Sequence, residues 1–227
     1  MQSALPFPII AIDGPAGAGK STLAKGLAKR LGFSLLNTGA IYRALAYCCL
    51  QKKISTDDIL GIVKEASILS IRFESKNNKE LIFINDKEIS AELNSPKVSQ
   101  TASFIAGYKE IRLALLPLQK RLAIQAPCVV EGRDVGTTLF PNAPIKFFVT
   151  ASPEIRAQRR FLELQKQIPS LKYQDILEQQ QERDLADQKR TYAPLRIAED
   201  AVLIDSSTSS IEELLEQMEF LCRKKLL

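Results

Sequence analysis

The stretch Ile10–Gly32, "IAIDGPAGAGKSTLAKGLAKRLG", decides the fold. Its first part belongs to "FPIIAID" (Phe7–Asp13), a short apolar run of the kind that forms a strand buried on both faces of a parallel sheet. Its last part carries Leu23, Ala24, Leu27, Ala28 and Leu31 at helical spacing, with Gly32 where a C-terminal cap belongs. Between them lies G-x-x-x-x-G-K-S: Gly14, Pro15, Ala16, Gly17, Ala18, Gly19, Lys20 and Ser21, followed by Thr22. Glycines let successive backbone N–H groups turn inward, and the helix N-terminus adds free donors and a positive dipole end. Lys20 supplies a point charge for outer phosphates and Ser21 a hydroxyl for Mg²⁺, so the loop is expected to hold a nucleoside triphosphate. The loop names a donor and leaves the acceptor open, because switches, motors and small-molecule kinases share it.

The rest of the chain alternates strands and helices. "FSLL", "PCVVEGRD", "IKFFVTA" and "DAVLID" read as further strands, which predicts a parallel sheet covered on both faces. Thr56 is the expected cap of a helix over "DDILGIVKEASIL". "SIRFESKNNKELIFINDKEIS" alternates apolar and polar residues and predicts a small antiparallel insert. Helical period then resumes, and Pro117 predicts a kink or a division into two helices. A helix from Ser152, the loop "IPSLKYQD" and the helix "QDILEQQQERDLADQKR" follow. The fold class is therefore a three-layer α/β/α P-loop NTPase fold with a central parallel sheet.

Composition prunes the chemistry. The 227 residues include no histidine, which excludes histidine triads, histidine-ligated zinc and imidazole bases. Cys48, Cys49, Cys128 and Cys222 form no CxxC pair and read as small buried hydrophobes. No apolar run reaches membrane-spanning length, and "MQSALPFPIIAID" lacks a basic leader, so a cytoplasmic protein without membrane attachment is expected. The net charge of +5 suits a polyanionic ligand or a uniformly basic surface.

The charged clusters are expected beyond the carboxyl ends of the strands, where ligands of open α/β sheets sit. "NTGAIYR" opens a helix with Thr38 and Gly39, and Arg43 lies one turn in. "EGRDVGT" offers Arg133 to grip a phosphate and Asp134 to accept from an amino group, or forms a surface ion pair on a turn. Arg183, Asp187 and Arg190 share one helix face, which suits either a ligand or a solvated surface. Arg156, Arg159 and Arg160 read with them as a basic flap; no aromatic residues interleave for stacking on nucleic acid.

Taken together, "IAIDGPAGAGKST", "NTGAIYRA", "EGRDVGT…FPNAPIKFFVTAS", "RAQRR" and "RDLADQKRTYAPL" resemble the bacterial cytidylate kinases among the nucleoside monophosphate kinases, over nearly the whole chain. The resemblance implies transfer of the γ-phosphoryl group of ATP to CMP or dCMP, with Mg²⁺, by a monomer that needs no nucleic acid. It implies a core over residues 1–66 and 97–227, a helical lid at about 155–190 and a β-rich monophosphate-binding insert at 67–96. It makes Gly14–Thr22 the ATP loop, with Lys20 catalytic and Ser21 toward the metal. Arg43, Arg133 and Arg183 would hold the acceptor phosphate, Ser103, Arg112 and Asp134 the cytosine edge, and Asp187 and Arg190 the sugar and phosphate; Thr38 stands near the acceptor. Lys20 and the four arginines Arg43, Arg133, Arg183 and Arg190 would be the catalytic cations. One departure is Asn37, where the family usually carries Asp.

The rivals are a P-loop kinase for UMP, AMP or shikimate, a nucleotide switch and a nucleic-acid motor. A switch would want an N-K-x-D guanine reader, which the chain does not contain.

Overall fold

The computed structural model describes residues 5–76, 79–165 and 170–226. In chain order its elements are β1 (Ile9–Asp13), α1 (Lys20–Leu31), β2 (Ser34–Asn37), α2 (Thr38–Gln51) and α3 (Ile59–Ile68). The strands β3 (Ile71–Lys76), β4 (Lys79–Ile84) and β5 (Lys87–Glu88) follow, then α4 (Pro96–Ile105) and α5 (Lys109–Ala123). The last part holds β6 (Cys128–Glu131), β7 (Ile145–Thr150), α6 (Pro153–Leu164), α7 (Tyr173–Lys189), β8 (Val202–Asp205) and α8 (Ile211–Leu226). The chain divides into two compact units, Met1–Asn37 with Arg121–Leu227, and Thr38–Lys120.

The first unit is built on a five-stranded parallel sheet in the order β2-β6-β1-β7-β8, flanked by helices. β1 is central, paired on both edges with Ile10 lying against Val129 of β6 and Ile145 of β7, and wholly buried. Ile10, Ile12, Leu23, Leu27, Phe147, Val149, Leu215 and Met218 fill the core that fastens α1 and α8 to the sheet. Gly32 caps α1 at φ 68, as its position in the sequence predicts. Ser210 accepts from the Glu213 amide at the start of α8, and its own N–H and hydroxyl donate to the Glu213 carboxylate. That reciprocal pair is a capping box.

The second unit holds the antiparallel sheet β3-β4-β5 with Ile71 opposite Ile84 and Phe73 opposite Ile82. Asn85 and Asp86 both take left-handed backbone angles, φ 46 and 66, which closes β4 to β5 with a two-residue turn. Part of the "SKNNKE" break (residues 77–78) lies outside the described residues, as do residues 168–169 of the "IPSLKYQD" loop.

Two expectations are corrected. Pro117 lies inside α5; the division between α4 and α5 falls at residues 106–108 instead, where the Gly107 and Tyr108 amides turn back to Phe104 O and Ile105 O at 3.0 and 3.2 Å. A proline deprives only the carbonyl four residues earlier of its partner. That carbonyl belongs to Leu113, which lies on the exposed side of the helix. The cap of α3 is Asp58 and not Thr56: the chain first turns through Asp58 N to Ser55 O, 3.1 Å, and Asp58 Oδ1 then accepts from the Gly61 amide at 2.9 Å.

All four cysteines are buried free thiols. Burial pushes Cys48 and Cys49 up to about 11, and Cys128 and Cys222 up to about 12.

Asp58→Ala is expected to cost about 1 kcal/mol of stability in urea unfolding, and Thr56→Ala at most a few tenths. Equal losses would return the cap to Thr56.

Candidate active site

β1 delivers the chain to Gly14 at φ 145, where a Cβ would stand 2.0 Å from Val149 O of β7. Only glycine permits that close approach of loop to sheet. Gly19 precedes α1 at φ 83 and no side chain caps the helix, so its first N–H groups face the loop. Lys20 is 6% exposed and its Nζ donates to Pro15 O at 2.6 Å, folding the side chain back along the loop. Burial, then the Arg133 charge, hold its pKa well below the usual lysine range; Glu131 opposes them, Arg183 lowers it further and Asp13 raises it. An ammonium so placed is a receptor for an anion.

β6 ends at Glu131, in register with Ile12 of β1 and Asn37 of β2. Ser21 Oγ donates to Glu131 Oε1 at 2.8 Å. A hydroxyl beside a carboxylate at the phosphate loop is a hard-oxygen pair suited to Mg²⁺. Asn37 in place of an aspartate means that Glu131 faces no second carboxylate from that register position.

Beyond β6, Arg133 Nε donates to Asp187 Oδ2 at 3.1 Å, and Arg190 Nη2 donates to Asp187 Oδ1. Asp187 is 2% exposed, so this face of α7 is a buried ion-paired cluster and not a solvated surface. Its single carboxylate aims two guanidinium groups and leaves the cluster net positive. Arg183 lies one turn earlier and adds its field at Lys20. Lys20, Ser21, Arg133, Arg183, Asp187 and Arg190 are thus gathered at the loop within the first unit. Asp134 follows Arg133 at the head of the wide turn Val135–Leu139, whose Thr138 and Leu139 amides donate to Asp134 O at 2.9 and 3.1 Å.

In the second unit, Thr38 opens α2 and is buried, with Arg43 half-buried one turn on. Ser103 lies on α4, half-buried. Arg112 of α5 is buried, donates to Ala106 O at 3.1 Å and covers the ring of Tyr42 at 5.5 Å. Tyr42 carries no signal of its own in "NTGAIYR"; its role as a platform for Arg112 appears only in the packing.

Sequence reading missed Asp13 and the anchoring partners of two arginines. Asp13 is 4% exposed; its Oδ1 accepts from the Val135 amide at 2.8 Å and its Oδ2 from the Gly136 amide at 2.7 Å. Burial raises its pKa to about 6, against the two amides and Lys20, which lower it; Asp134 adds to the rise. Arg156, read as part of a basic flap, is 5% exposed and ties α6 to Ala16 O of the loop at 3.1 Å, to Asp184 of α7 at 2.5 Å and to Ala151 O at 3.0 Å. Arg159 donates to Ser206 Oγ at 3.0 Å, and that hydroxyl donates in turn to Ala18 O of the loop at 2.9 Å. Arg160 pairs with Glu163 at the surface. Beside the loop, Gly19, Thr22, Arg159, Ser206, Ile211 and Leu214 line a cavity of about 180 Å³.

The sheet order and the glycine cradle with its buried lysine define a P-loop nucleotide-binding protein. Comparison with known proteins narrows this. The chain belongs to the cytidylate kinase family, whose model matches residues 10–224. It is 42% identical over 209 residues to a cytidylate kinase of Caldicellulosiruptor bescii, covering 92% of each chain. It is 43% identical over 211 residues to one of Exiguobacterium sp., covering 92% of this chain and 94% of that one, and 41% identical over 219 residues to one of Shigella flexneri, covering 96% of each. An uncharacterised protein of Eubacterium ventriosum aligns with a TM-score of 0.51 at 11% identity over 95% of this chain and 98% of its own, a likeness of fold alone.

A carboxyl whose folded pKa is raised from 3.8 to about 6 contributes stability that is present below about 4 and lost as pH rises through 6. Carbon-detected titration of the Asp13 carboxyl is expected to give a midpoint near 6. The stability difference between wild type and Asp13→Asn should shift by about 3 kcal/mol across that window. A midpoint near 4 would contradict the burial argument.

Proposed function

We propose that this chain transfers the γ-phosphoryl group of ATP to CMP or dCMP, giving CDP or dCDP and ADP. The observation that carries the reading is Lys20, an ammonium buried among the charges of Arg133 and Arg183 at the mouth of a glycine loop. Family membership supplies the acceptor class.

Gly14–Thr22 wrap the donor phosphates, and the cavity beside Gly19 takes the donor's nucleoside end. Ser21 and Glu131 hold Mg²⁺; when bound, the ion neutralises charge on the donor phosphates. Arg43, Arg133 and Arg183 grip the acceptor phosphate bidentately. Asp187 and Arg190 meet its sugar and phosphate, and Thr38 stands beside the acceptor. Ser103, Arg112 and Asp134 read the cytosine edge: Asp134 accepts from the exocyclic amino group and Arg112 donates to a ring acceptor. Uracil in that place would leave a buried group unsatisfied, at about 1–3 kcal/mol.

The attacking atom is a phosphate oxygen, anionic near neutral pH, so no side-chain base is required; the absence of histidine fits this. What the chain supplies is alignment and positive charge. Water is the competing acceptor, and a lid over residues 155–190 excludes it by closing only on both substrates. The segment 67–96 enlarges the monophosphate-binding region. In this reading the protein acts as a cytoplasmic monomer that uses neither nucleic acid nor a membrane.

Purified protein with ATP and Mg²⁺ is to be assayed for ADP release against CMP, dCMP, UMP, AMP and shikimate. CMP and dCMP should be the preferred acceptors; failure to form CDP would overturn the assignment. Lys20→Met and Arg183→Ala should each lower kcat by about 100-fold or more, with melting temperatures showing folded protein. Asp134→Ala should narrow the CMP-over-UMP preference.

A further inference from the structure

We infer that Asp13 is a positioning residue that locks the turn carrying Arg133 and Asp134 to the strand that feeds the phosphate loop. Donor and acceptor groups would then share one alignment. The inference rests on the proposed reading of Arg133 and Asp134 as acceptor ligands and deepens it.

The argument starts from the two ends of the turn. Before it, the Gly132 amide donates to Ile12 O at 2.9 Å. After it, the Val135 and Gly136 amides donate to the two oxygens of Asp13 at 2.8 and 2.7 Å. Ile12 and Asp13 are consecutive residues of β1, and Gly14 follows them. Arg133 and Asp134 are the only residues between the two anchors. A shift of β1 therefore moves the glycine loop and both acceptor groups as one body.

The far side of the turn is equally fixed. A Cβ at Gly136 would lie 3.0 Å from Lys146 Cδ and 3.4 Å from Asp13 Oδ2. Lys146 cannot easily retreat, because its Nζ is held by Pro141 O at 2.5 Å and Asp200 Oδ1 at 2.8 Å. A side chain at Gly136 would therefore have to push Lys146 or Asp13 aside by a few tenths of an ångström.

A buried carboxylate is a poor way to gain stability. The cost of removing it from water offsets much of what its two amide hydrogen bonds return, and apolar packing of the same volume serves a core as well or better. Charge-assisted bonds to two amides do fix geometry tightly. Sub-ångström placement of phosphate ligands is what phosphoryl transfer needs. Alignment accounts for Asp13 where stability does not.

The test perturbs the contact from both sides. Asp13→Asn keeps the volume but presents an amide donor to one of the two N–H groups. Gly136→Ala adds a methyl against Lys146 and Asp13. Steady-state kinetics on each variant, with the co-substrate saturating, should show KM for CMP raised at least about tenfold and the CMP-over-UMP preference cut at least about tenfold. KM for ATP should change less than about threefold, and the double variant should be no worse than the worse single one. Parallel rises in both KM values, unchanged CMP parameters, or multiplying effects in the double variant would overturn the role. Loss of fold in both variants would assign the contact to folding and overturn it equally. Wild-type protein that made no CDP would instead strike at the proposed activity, which separates the two failures.

Discussion

A positive charge without water is the constraint on which the rest of this structure depends. Lys20 gives up hydration to lie along the glycine loop, where Arg133 and Arg183 make its position worse and Glu131 and Asp13 only partly compensate. Such a group is tolerable when the surrounding chain is too stiff to let it escape and when an anion relieves it. The stiffness is visible. β1 is buried on both faces, Gly14 is pressed against Val149 O, and the loop's carbonyls at Ala16 and Ala18 are tied by Arg156 and Ser206. With those carbonyls engaged on the outside, the loop's N–H groups remain for the inside. The polarity of the cradle comes from who takes its oxygens.

A second level of organisation is the sharing of counter-charges. Asp187 orients Arg133 and Arg190 with one carboxylate, and Asp184, three residues before it in α7, does the same for Arg156. One helix thus serves two groups of cations. Arg156 keeps the loop in shape, and Arg133 with Arg190 faces the acceptor in the proposed function. α7 therefore has to be helical through this stretch for either group to work. Its exposed residues are free to be polar without pattern, which is why the sequence over Tyr173–Lys189 shows so little amphipathic order.

Most of the fold and the donor loop were legible because their signals are local. The apolar run at Ile9–Asp13, the leucine spacing in α1 and the glycine pattern all act within a few residues, and the pairing of β1 with β6 and β7 follows from its two buried faces. The antiparallel segment was legible for the same reason, by its alternation. What escaped was long-range or degenerate. Asp13 reads as the polar end of a strand, and only the return of the chain 122 residues later gives its oxygens partners. Arg156 looks like any arginine in an amphipathic helix until Ala16 O and Asp184 meet it. The break at 106–108 was hidden because Pro117 is the louder breaker in that stretch, although a proline removes one hydrogen bond and a helix can run on past it. The cap at Asp58 was hidden because threonine and aspartate both satisfy the rule, and only the turn at Ser55 chooses between them.

The burial of Cys48, Cys49, Cys128 and Cys222 has a practical consequence. Thiols pushed up to about 11 to 12 supply almost no thiolate at neutral pH, and little of their surface is exposed to an electrophile. The folded protein is therefore expected to react slowly with maleimides and mild oxidants without any cysteine being removed. A single new cysteine on an exposed helix position would be the most reactive thiol in the molecule, so a fluorophore or spin label placed there could test whether α7 moves during turnover in an otherwise unaltered chain.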